Sequence, residues 1–145
     1  MAKGSITSAN AKISLTIAGV FDQAQRIQGF SADNIFGTEA QEPVETQMGL
    51  DRKLSGGKVP VPVNFNITLM ADSPSGIVFD NWNDQMEVAN DVYTCEGLVV
   101  LPSLKTQWTL TRGFLVSYMP IPDGEKVLKA RKFTIRFEKK TRQPL

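Results

Sequence analysis

Residues Val59 to Met70 read VPVPVNFNITLM, with an apolar residue at every second position. Because side chains on a β-strand point alternately to opposite faces, this alternation predicts a long strand with one apolar face. Pro60 and Pro62 have no N–H to donate to a neighbouring strand, so they place the first half of the strand at an edge or beyond the main sheet. The second half, Phe65 to Leu69, is predicted to lie in the core.

An apolar strand that leaves its sheet is an aggregation hazard for a monomer, but it is useful to a subunit that assembles. The preceding residues, Asp51 to Lys58, read DRKLSGGK and have the charges and glycines that are typical of a turn. We therefore predict a long protruding hairpin over about residues 44–69, with Gly56 and Gly57 at its tip. The residues predicted to contact another copy are Leu50, Arg52, Lys53, Leu54, Lys58, Val59 and Val61.

The apolar period changes to 3.6 after this hairpin, which predicts one amphipathic α-helix over about residues 74–90. Ser73 is the predicted cap, and Pro74 suits the first helical position because its missing N–H is not needed there. The predicted inward residues are Val78, Phe79, Trp82, Met86 and Ala89, and the predicted acidic face consists of Asp80, Asp84, Glu87 and Asp91.

The rest of the chain shows strand patterns. Strands are predicted around Ile13–Ile17, Gln25–Ser31, Asn34–Phe36, the doubly covered run Leu98–Leu101, a strand with Trp108, Leu110, Phe114, Val116 and Tyr118 on one face, and Lys132–Glu138 with Phe133, Ile135 and Phe137 inward. Gly19, Asp22 and Gly37 are expected to interrupt strands. The predicted fold is mainly β, a β-sandwich or partly closed barrel with one flanking helix, in a single domain over residues 1–145.

Charge is unevenly distributed, although the net charge is only +1. The eight basic residues after position 125 are Lys126, Lys129, Arg131, Lys132, Arg136, Lys139, Lys140 and Arg142, and Glu138 is the one acid there. This segment is compatible with a solvated strand face, with nucleic-acid binding, or with contact to the acidic helix of another copy. Its aromatic residues lie on the apolar face, which disfavours nucleic-acid stacking. The contact between copies would pair Asp80, Asp84 and Glu87 with Arg136, Lys139 and Lys140.

No catalytic, metal or cofactor site is predicted. The chain has no histidine, which removes the commonest general base and metal ligand. Asp84 and Glu87 could share a cation, but a solvated acidic face is favoured. Cys95 is alone and is predicted to be a buried, inert thiol, and Trp82 and Trp108 are predicted core anchors, with ligand stacking as the alternative. The polar start, Met1–Asn10, predicts no secretory signal, and no segment is apolar enough to span a membrane.

The sequence resembles the tail tube proteins of contractile-tailed phages. The resemblance rests on the opening SANAKISLTIA at residues 8–18, the glycine-containing hairpin over 48–70, the mid-chain helix over 74–90 and the closing FTIRF at residues 133–137. The resemblance covers about residues 5–140. It concerns the size of the chain, the order of the elements and short stretches of similar sequence rather than one short motif. The tube protein of type VI secretion is similar in fold.

This resemblance implies two packed β-sheets with a flanking helix, and six copies closing into rings that stack into a hollow tube. DNA would pass through the lumen without sequence-specific binding. The implied partners are other copies, a sheath, a tape-measure protein, the baseplate and a tail terminator, in a virion assembled from protein made in the host cytoplasm. The alternatives are a small β-barrel that binds an apolar or carbohydrate ligand, and the tube subunit of a type VI-like secretion system. An enzyme is not expected.

Overall fold

A computed structural model describes residues 11–30 and 35–145 of the 145-residue chain. The elements, in chain order, are β1 (Lys12–Ile17), β2 (Phe21–Arg26), β3 (Phe36–Thr38), β4 (Val44–Met48), β5 (Leu54–Lys58), β6 (Val63–Leu69), α1 (Gly76–Ala89), β7 (Cys95–Leu101), a 3-10 turn (Pro102–Leu104), β8 (Thr106–Tyr118) and β9 (Arg131–Pro144). The predicted class, mainly β with one flanking helix and a protruding hairpin, is confirmed for the described residues. Predictions for Met1–Asn10 and for Asn34 lie outside them.

Seven strands form one antiparallel sheet in the order β2-β1-β7-β8-β9-β6-β3, and β4 and β5 pair only with each other. The sheet does not close into a barrel. At one end, however, Phe30 bridges to Leu69, and the Met70 N–H donates a 2.8 Å hydrogen bond to the Gly29 carbonyl. The chain after β2 thus crosses to the far side of the sheet, and the strands curve around one shared core.

The centre of the core is the β6–β9 pair. Phe65 lies opposite Ile135, and Ile67 lies opposite Phe133, and all four side chains are buried. The prediction that the second half of the alternating strand anchors in the core is therefore confirmed. Residues 59–62 lie outside any strand, as the prolines predicted, because neither proline can supply a ladder hydrogen bond.

Two glycines let the sheet bend tightly around Phe137. A Cβ atom at Gly113 would lie 2.5 Å from the Phe137 ring, and one at Gly97 would lie 3.1 Å from it. The Phe137 ring on β9 thus lies across β8 and reaches β7. A side chain at Gly113 would collide with the ring, so glycine is required there for steric reasons.

The helix begins two residues later than predicted. Ser75 occupies the cap position without making a capping hydrogen bond, and the Ser75 Oγ instead accepts a 2.7 Å hydrogen bond from the Gln28 N–H. The predicted cap, Ser73, accepts a hydrogen bond from the Ser75 N–H. These contacts tie the start of α1 to the segment after β2, so the cap hydroxyls fix tertiary position rather than helix ends.

Helix α1 packs against β9 through aromatic contacts. Phe79 stacks on Phe133 with 4.2 Å between ring centroids and 5° between planes. Trp82 is fully buried, and its Nε1 donates a 2.8 Å hydrogen bond to the Tyr93 carbonyl, which confirms its predicted role as a core anchor. Val78 is also buried as predicted, whereas Ala89 is exposed because the last helical turn extends past the sheet.

Several strand predictions were wrong. The run Leu98–Leu101 is covered on one face rather than both, since Leu98 remains 38% exposed. In β8, Arg112 has a φ of 50°, and the pairing with β7 shifts at this bulge. A bulge displaces the alternation, so Gly113 rather than Phe114 continues the buried face after Leu110.

Three smaller boundary errors have local causes. Asp22 does not break a strand but belongs to β2, where its carboxylate accepts a hydrogen bond from the Gly19 N–H across the turn. Gly37 lies inside β3 and pairs with Asn66. The last strand continues six residues beyond Glu138, because β8 is long enough to pair with the basic segment as far as Pro144.

None of the helices in the described residues has the length and apolar character needed to cross a membrane. Cys95 is 1% exposed, and burial raises the pKa of its thiol, with a further contribution from the nearby Glu96 carboxylate. A thiol that resists ionisation is a poor nucleophile. The prediction of a buried, inert cysteine is confirmed.

We predict that Phe133→Ala lowers the free energy of unfolding by about 3–5 kcal/mol, because it removes the ring on which Phe79 stacks and leaves a cavity. Chemical denaturation of the two proteins measures the change. The control is Val88→Ala on the helix, where the side chain is 82% exposed. This variant should stay within about 0.5 kcal/mol of the parent. Equal effects in the two variants would contradict the proposed packing.

We also predict that Gly113→Ala destabilises the fold by about 1–3 kcal/mol, since the added methyl group overpacks the Phe137 ring. Gly57→Ala is the matched control, because a Cβ atom at Gly57 meets nothing within 4 Å. Thermal unfolding of both variants provides the test. A Gly113→Ala protein as stable as the Gly57→Ala protein would show that the ring can move aside.

Candidate functional site

The hairpin formed by β4 and β5 stands apart from the main sheet. Its register runs from Val44 opposite Lys58 to Met48 opposite Leu54. The turn lies at residues 49–53, where the Arg52 N–H donates a 3.0 Å hydrogen bond to the Gly49 carbonyl and Arg52 has a φ of 67°. The predicted glycine tip was therefore wrong.

Gly56 and Gly57 lie within β5, opposite Thr46 and Glu45. Because successive side chains of a strand point to opposite faces, the two glycines leave each face of the hairpin without one side chain. A shallow depression of about 390 Å³ lies along the two strands beside Val59. Glycine inside a strand is typical of places where another backbone approaches closely. The depression is therefore a suitable surface for a second chain.

Apolar side chains on the hairpin have little cover from the rest of the subunit. Every residue of β4 and β5 is exposed. The exposed fractions are 52% for Val44, 62% for Met48, 107% for Leu50 and 58% for Leu54. Among the predicted contact residues, Leu50, Arg52, Lys53, Leu54 and Lys58 are exposed on this hairpin, and Val59 and Val61 are half-buried at its base.

The hairpin base is tied to the body by a chain of side-chain hydrogen bonds. The Gln41 Nε2 donates to the Pro62 carbonyl at 3.1 Å, and the Lys140 Nζ donates to the Gln41 Oε1 at 3.1 Å. The Arg136 Nε donates to the Asn64 Oδ1 at 2.7 Å. Arg136 and Lys140 were predicted to meet acids of another copy, but here they contact polar groups of their own subunit.

An open cleft of about 450 Å³ lies beside this base. Side chains from β3, β6, β7 and β8 form its apolar walls. Glu39 and Lys140 lie at its rim. The apolar lining consists of Phe36, Val63, Phe65, Val99, Leu101, Trp108 and Leu110. Trp108 is half-buried in the wall of this cleft, so its predicted role as a core anchor holds only in part.

The acidic helix face is not uniform. The Arg131 Nη2 lies 2.6 Å from the Asp80 Oδ1, and the Tyr118 hydroxyl donates a hydrogen bond to the same oxygen. Arg131 is 8% exposed and also lies over the Phe133 ring, 5.0 Å from its centroid. Asp80 is thus engaged within its own subunit, and its contact with another copy stays a prediction.

These contacts shift three pKa values. Burial raises the pKa of Asp80, but hydrogen bonds from Arg131 and Tyr118, together with the arginine charge, outweigh burial and lower it below the ordinary value. Burial, and then the hydrogen bond to Asp80, raises the pKa of Tyr118 to about 12. The hydrogen bond to Asp80 raises the pKa of Arg131. The cluster is therefore a structural ion pair that fastens α1 to β9.

Asp84 and Glu87 remain on the exposed side of the helix, and the Asn83 Nδ2 donates a 3.1 Å hydrogen bond to the Glu87 Oε1. Within residues 11–30 and 35–145, no group of three or more Cys, Asp or Glu side chains is placed to hold a metal ion. Lys139 lies opposite Thr111 on the exposed part of β9. The described residues therefore present an apolar hairpin and an apolar cleft as the main candidate functional features.

Sequence reasoning did not predict the cleft or the Arg131 contact. The cleft is formed by residues from β3, β6, β7 and β8, which are far apart in the chain, and no local pattern indicates it. Arg131 lies two residues before Phe133, which places both side chains on the same face of β9. This spacing could have identified Arg131 as a possible partner for the acidic residues of the helix.

The sequence profile of the family described as tail fiber protein gp32 matches residues 4–141. The chain belongs to this family, and it is a structural tail component rather than an enzyme. No protein of curated function matches the sequence.

Solved structures with the same fold come from contractile injection systems. The anti-feeding prophage tube terminating cap has a TM-score of 0.63 at 10% identity, over 100% of this chain and 95% of that chain. A chain in the sheath-tube complex of the PVC extracellular contractile injection system matches with a TM-score of 0.64 at 11% identity. The match covers 99% of this chain and 94% of that chain. The PVC sheath/tube terminator has a TM-score of 0.63 at 11% identity, over 99% of both chains. The resemblance to tail tube proteins is confirmed at the level of fold.

We predict that Asp80→Asn lowers the free energy of unfolding by about 1–3 kcal/mol at pH 7, because it weakens a charged hydrogen bond to a buried arginine. A lowered Asp80 pKa contributes stability above pH 3.8, and this contribution disappears as the pH falls through the lower pKa of the folded state. The gap between parent and variant should therefore close in acid. Denaturation between pH 7 and pH 2 measures it.

Asp84→Asn, at an exposed position on the same helix, is the control and should stay within about 0.5 kcal/mol of the parent. A constant gap between the parent and Asp80→Asn proteins at every pH would contradict the ion pair.

On the alkaline side, the hydrogen-bonded Tyr118 contributes stability to the fold below its ordinary pKa. This contribution is lost as the pH rises through about 12.

Proposed function

We propose that this member of the tail fiber protein gp32 family is the subunit of a tail tube, and that copies close into rings which stack into a hollow conduit. The exposed apolar hairpin carries this proposal. Met48, Leu50 and Leu54 are each more than half exposed at or beside the turn, where they contribute nothing to the subunit's own core. Contact with another copy would remove this apolar surface from water.

Unpaired strand edges also support assembly. The outermost strands of the seven-stranded sheet, β2 and β3, each have one edge without a partner strand among the residues that the structure describes. Such edges readily pair with another chain. Ring closure between copies would pair or cover them, as closure of a barrel does within one chain. The hexameric ring is the form that the resemblance implies.

The charge of the subunit suits a conduit for DNA. With a net charge of +1, the chain has no strong attraction to phosphates as a whole. Much of the basic segment belongs to β9, where Arg131 is paired with Asp80. Just before this strand, Lys129 is paired with Glu125 at 2.9 Å. Partial neutralisation of this segment favours passage of DNA through the lumen over tight binding.

The proposed partners are further copies, a sheath, a tape-measure protein, the baseplate and a tail terminator. The sheath, terminator and cap appear in the names of the solved assemblies that share this fold. The particle would be a virion tail or a related injection system, including a type VI-like one, and the protein would be made in the cytoplasm of the host. The predicted contact residues Leu50, Arg52, Lys53, Leu54, Lys58, Val59 and Val61 would lie at the interface between copies.

A tail fibre is the second candidate function, because the family description names a fibre protein. Electron microscopy of concentrated purified protein distinguishes the two functions. Rings or hollow tubes support the tube subunit, whereas slender rods without a lumen support the fibre. A monomer at all concentrations would contradict both.

We predict that the double variant Leu50→Asp and Leu54→Asp stays folded but does not assemble, since both side chains are exposed in the subunit and buried in the proposed interface. Circular dichroism checks the fold, and sedimentation velocity with negative-stain microscopy checks assembly. The control is Val88→Asp, at an apolar helix position that is 82% exposed. Tubes of normal length from the double variant would contradict the role of the hairpin.

A further inference from the structure

The apolar cleft of about 450 Å³ contains space that residues 11–30 and 35–145 do not fill. At about 30 Å³ for each water in the liquid, it has room for about 15 water molecules. Water against Val99, Leu101 and Leu110 would find few hydrogen-bond partners. Apolar side chains of matching size would be a better occupant.

From the proposed function as premise, we infer that the cleft of one subunit receives the hairpin tip of a neighbouring copy. The tip, residues 49–53, carries Leu50, which is fully exposed and flanked by Met48 and Leu54. These side chains provide the apolar surface that the cleft lacks. The occupant is therefore a second copy of this chain.

Charge complementarity supports the same pairing. The rim of the cleft carries one acid and one base, Glu39 and Lys140. The tip carries Asp51 on one side of the turn and Lys53 on the other. A tip seated in the cleft can place Asp51 near Lys140 and Lys53 near Glu39, which would fix its orientation.

The hairpin cannot fill its own cleft. Its base is fixed at the rim through Gln41, which contacts both Pro62 and Lys140. From there each strand extends five residues, or about 16 Å at the usual rise per residue, before the turn. Leu50 at the tip is fully exposed, so the tip does not occupy the cleft of its own subunit, and each copy both gives a tip and receives one.

A contact between two different surfaces of identical subunits propagates from copy to copy, forming rings or stacks according to the rotation between them. The contact between tip and cleft would therefore link the copies of the proposed assembly. Trp108, in the wall of the cleft, would contact a side chain of the neighbouring copy in addition to the core.

Disulfide trapping tests the contact in the assembled protein. Gly37 lines the cleft, and an added Cβ atom there meets nothing within 4 Å, so Gly37→Cys is sterically tolerated. Combined with Leu50→Cys, it should give a ladder of linked subunits beyond the dimer on oxidation, since a disulfide requires Cα atoms within about 7 Å. The native Cys95 is buried and does not interfere.

The matched control combines Leu50→Cys with Gly124→Cys, because Gly124 is equally open but does not line the cleft. This control should give no ladder, and neither should Leu50→Cys alone. Thr38→Cys with Asp51→Cys is the second pair, for use if the first blocks assembly.

Assemblies that form under reducing conditions but give no ladder with either cysteine pair would overturn the cleft contact while leaving the tube function intact. Products limited to dimers would overturn the head-to-tail arrangement. Native mass spectrometry that shows a small-molecule adduct on the wild-type subunit, lost in Trp108→Ala, would assign the cleft to a ligand instead. Failure of the wild-type protein to assemble at all would overturn the proposed function as well.

Discussion

The docking of α1 on β9 determines which part of the sheet is buried in the subunit and which part is not. Phe79 stacks on Phe133, and beside this stack Asp80 pairs with Arg131, which is almost fully buried. The aromatic contact supplies apolar burial, and the ion pair fixes the rotation and position of the helix, because a buried arginine without its carboxylate is costly. A helix of 14 residues is about 21 Å long and covers only part of a sheet whose longest strands have 13 and 14 residues.

The bend of the sheet around Phe137 links the covered end to the open one. Gly97 and Gly113 let the ring lie across two neighbouring strands. The bulge at Arg112, next to Gly113, changes which side chains of β8 face inward. Leu110 and Trp108, which precede the bulge in the chain, form one wall of the cleft. The cleft is thus a consequence of a helix too short for its sheet and of a strand that bends before its end.

Sequence periodicity predicted those elements whose side chains alternate without interruption. In β6 and β9, the pattern identified Phe65, Ile67, Phe133 and Ile135 as core residues, and the 3.6-residue period placed α1 to within two residues at its start. The prolines at 60 and 62 also indicated correctly where the strand leaves the sheet. These predictions succeeded because burial acts on each side chain of a regular element in turn.

Predictions failed where tertiary contacts override local pattern. The β8 face was wrong because one positive φ at Arg112 shifts the register, and the hairpin tip was wrong because Gly56 and Gly57 serve as flat strand residues rather than turn residues. Asp80 appeared identical to Asp84 in the helical pattern, and the tertiary contacts of Asp80 with Tyr118 and with Arg131, 51 residues away, distinguish them. The assembly surface remains a prediction, since periodicity identifies residues that must be buried but not whether another copy buries them.

The segment between β5 and β6 accounts for the exposure of the hairpin. Residues 59–62 carry the alternating apolar pattern out of the sheet, and the prolines there prevent the subunit from using this segment to pair with its own strands. Apolar surface remains exposed at the tip and also in the cleft, and the two are joined by a short base held in place by Gln41. A monomer would gain stability from burying either of them, yet the geometry of the base keeps them apart. Such separation favours burial between copies over burial within one, which is what a subunit of a repeating assembly requires.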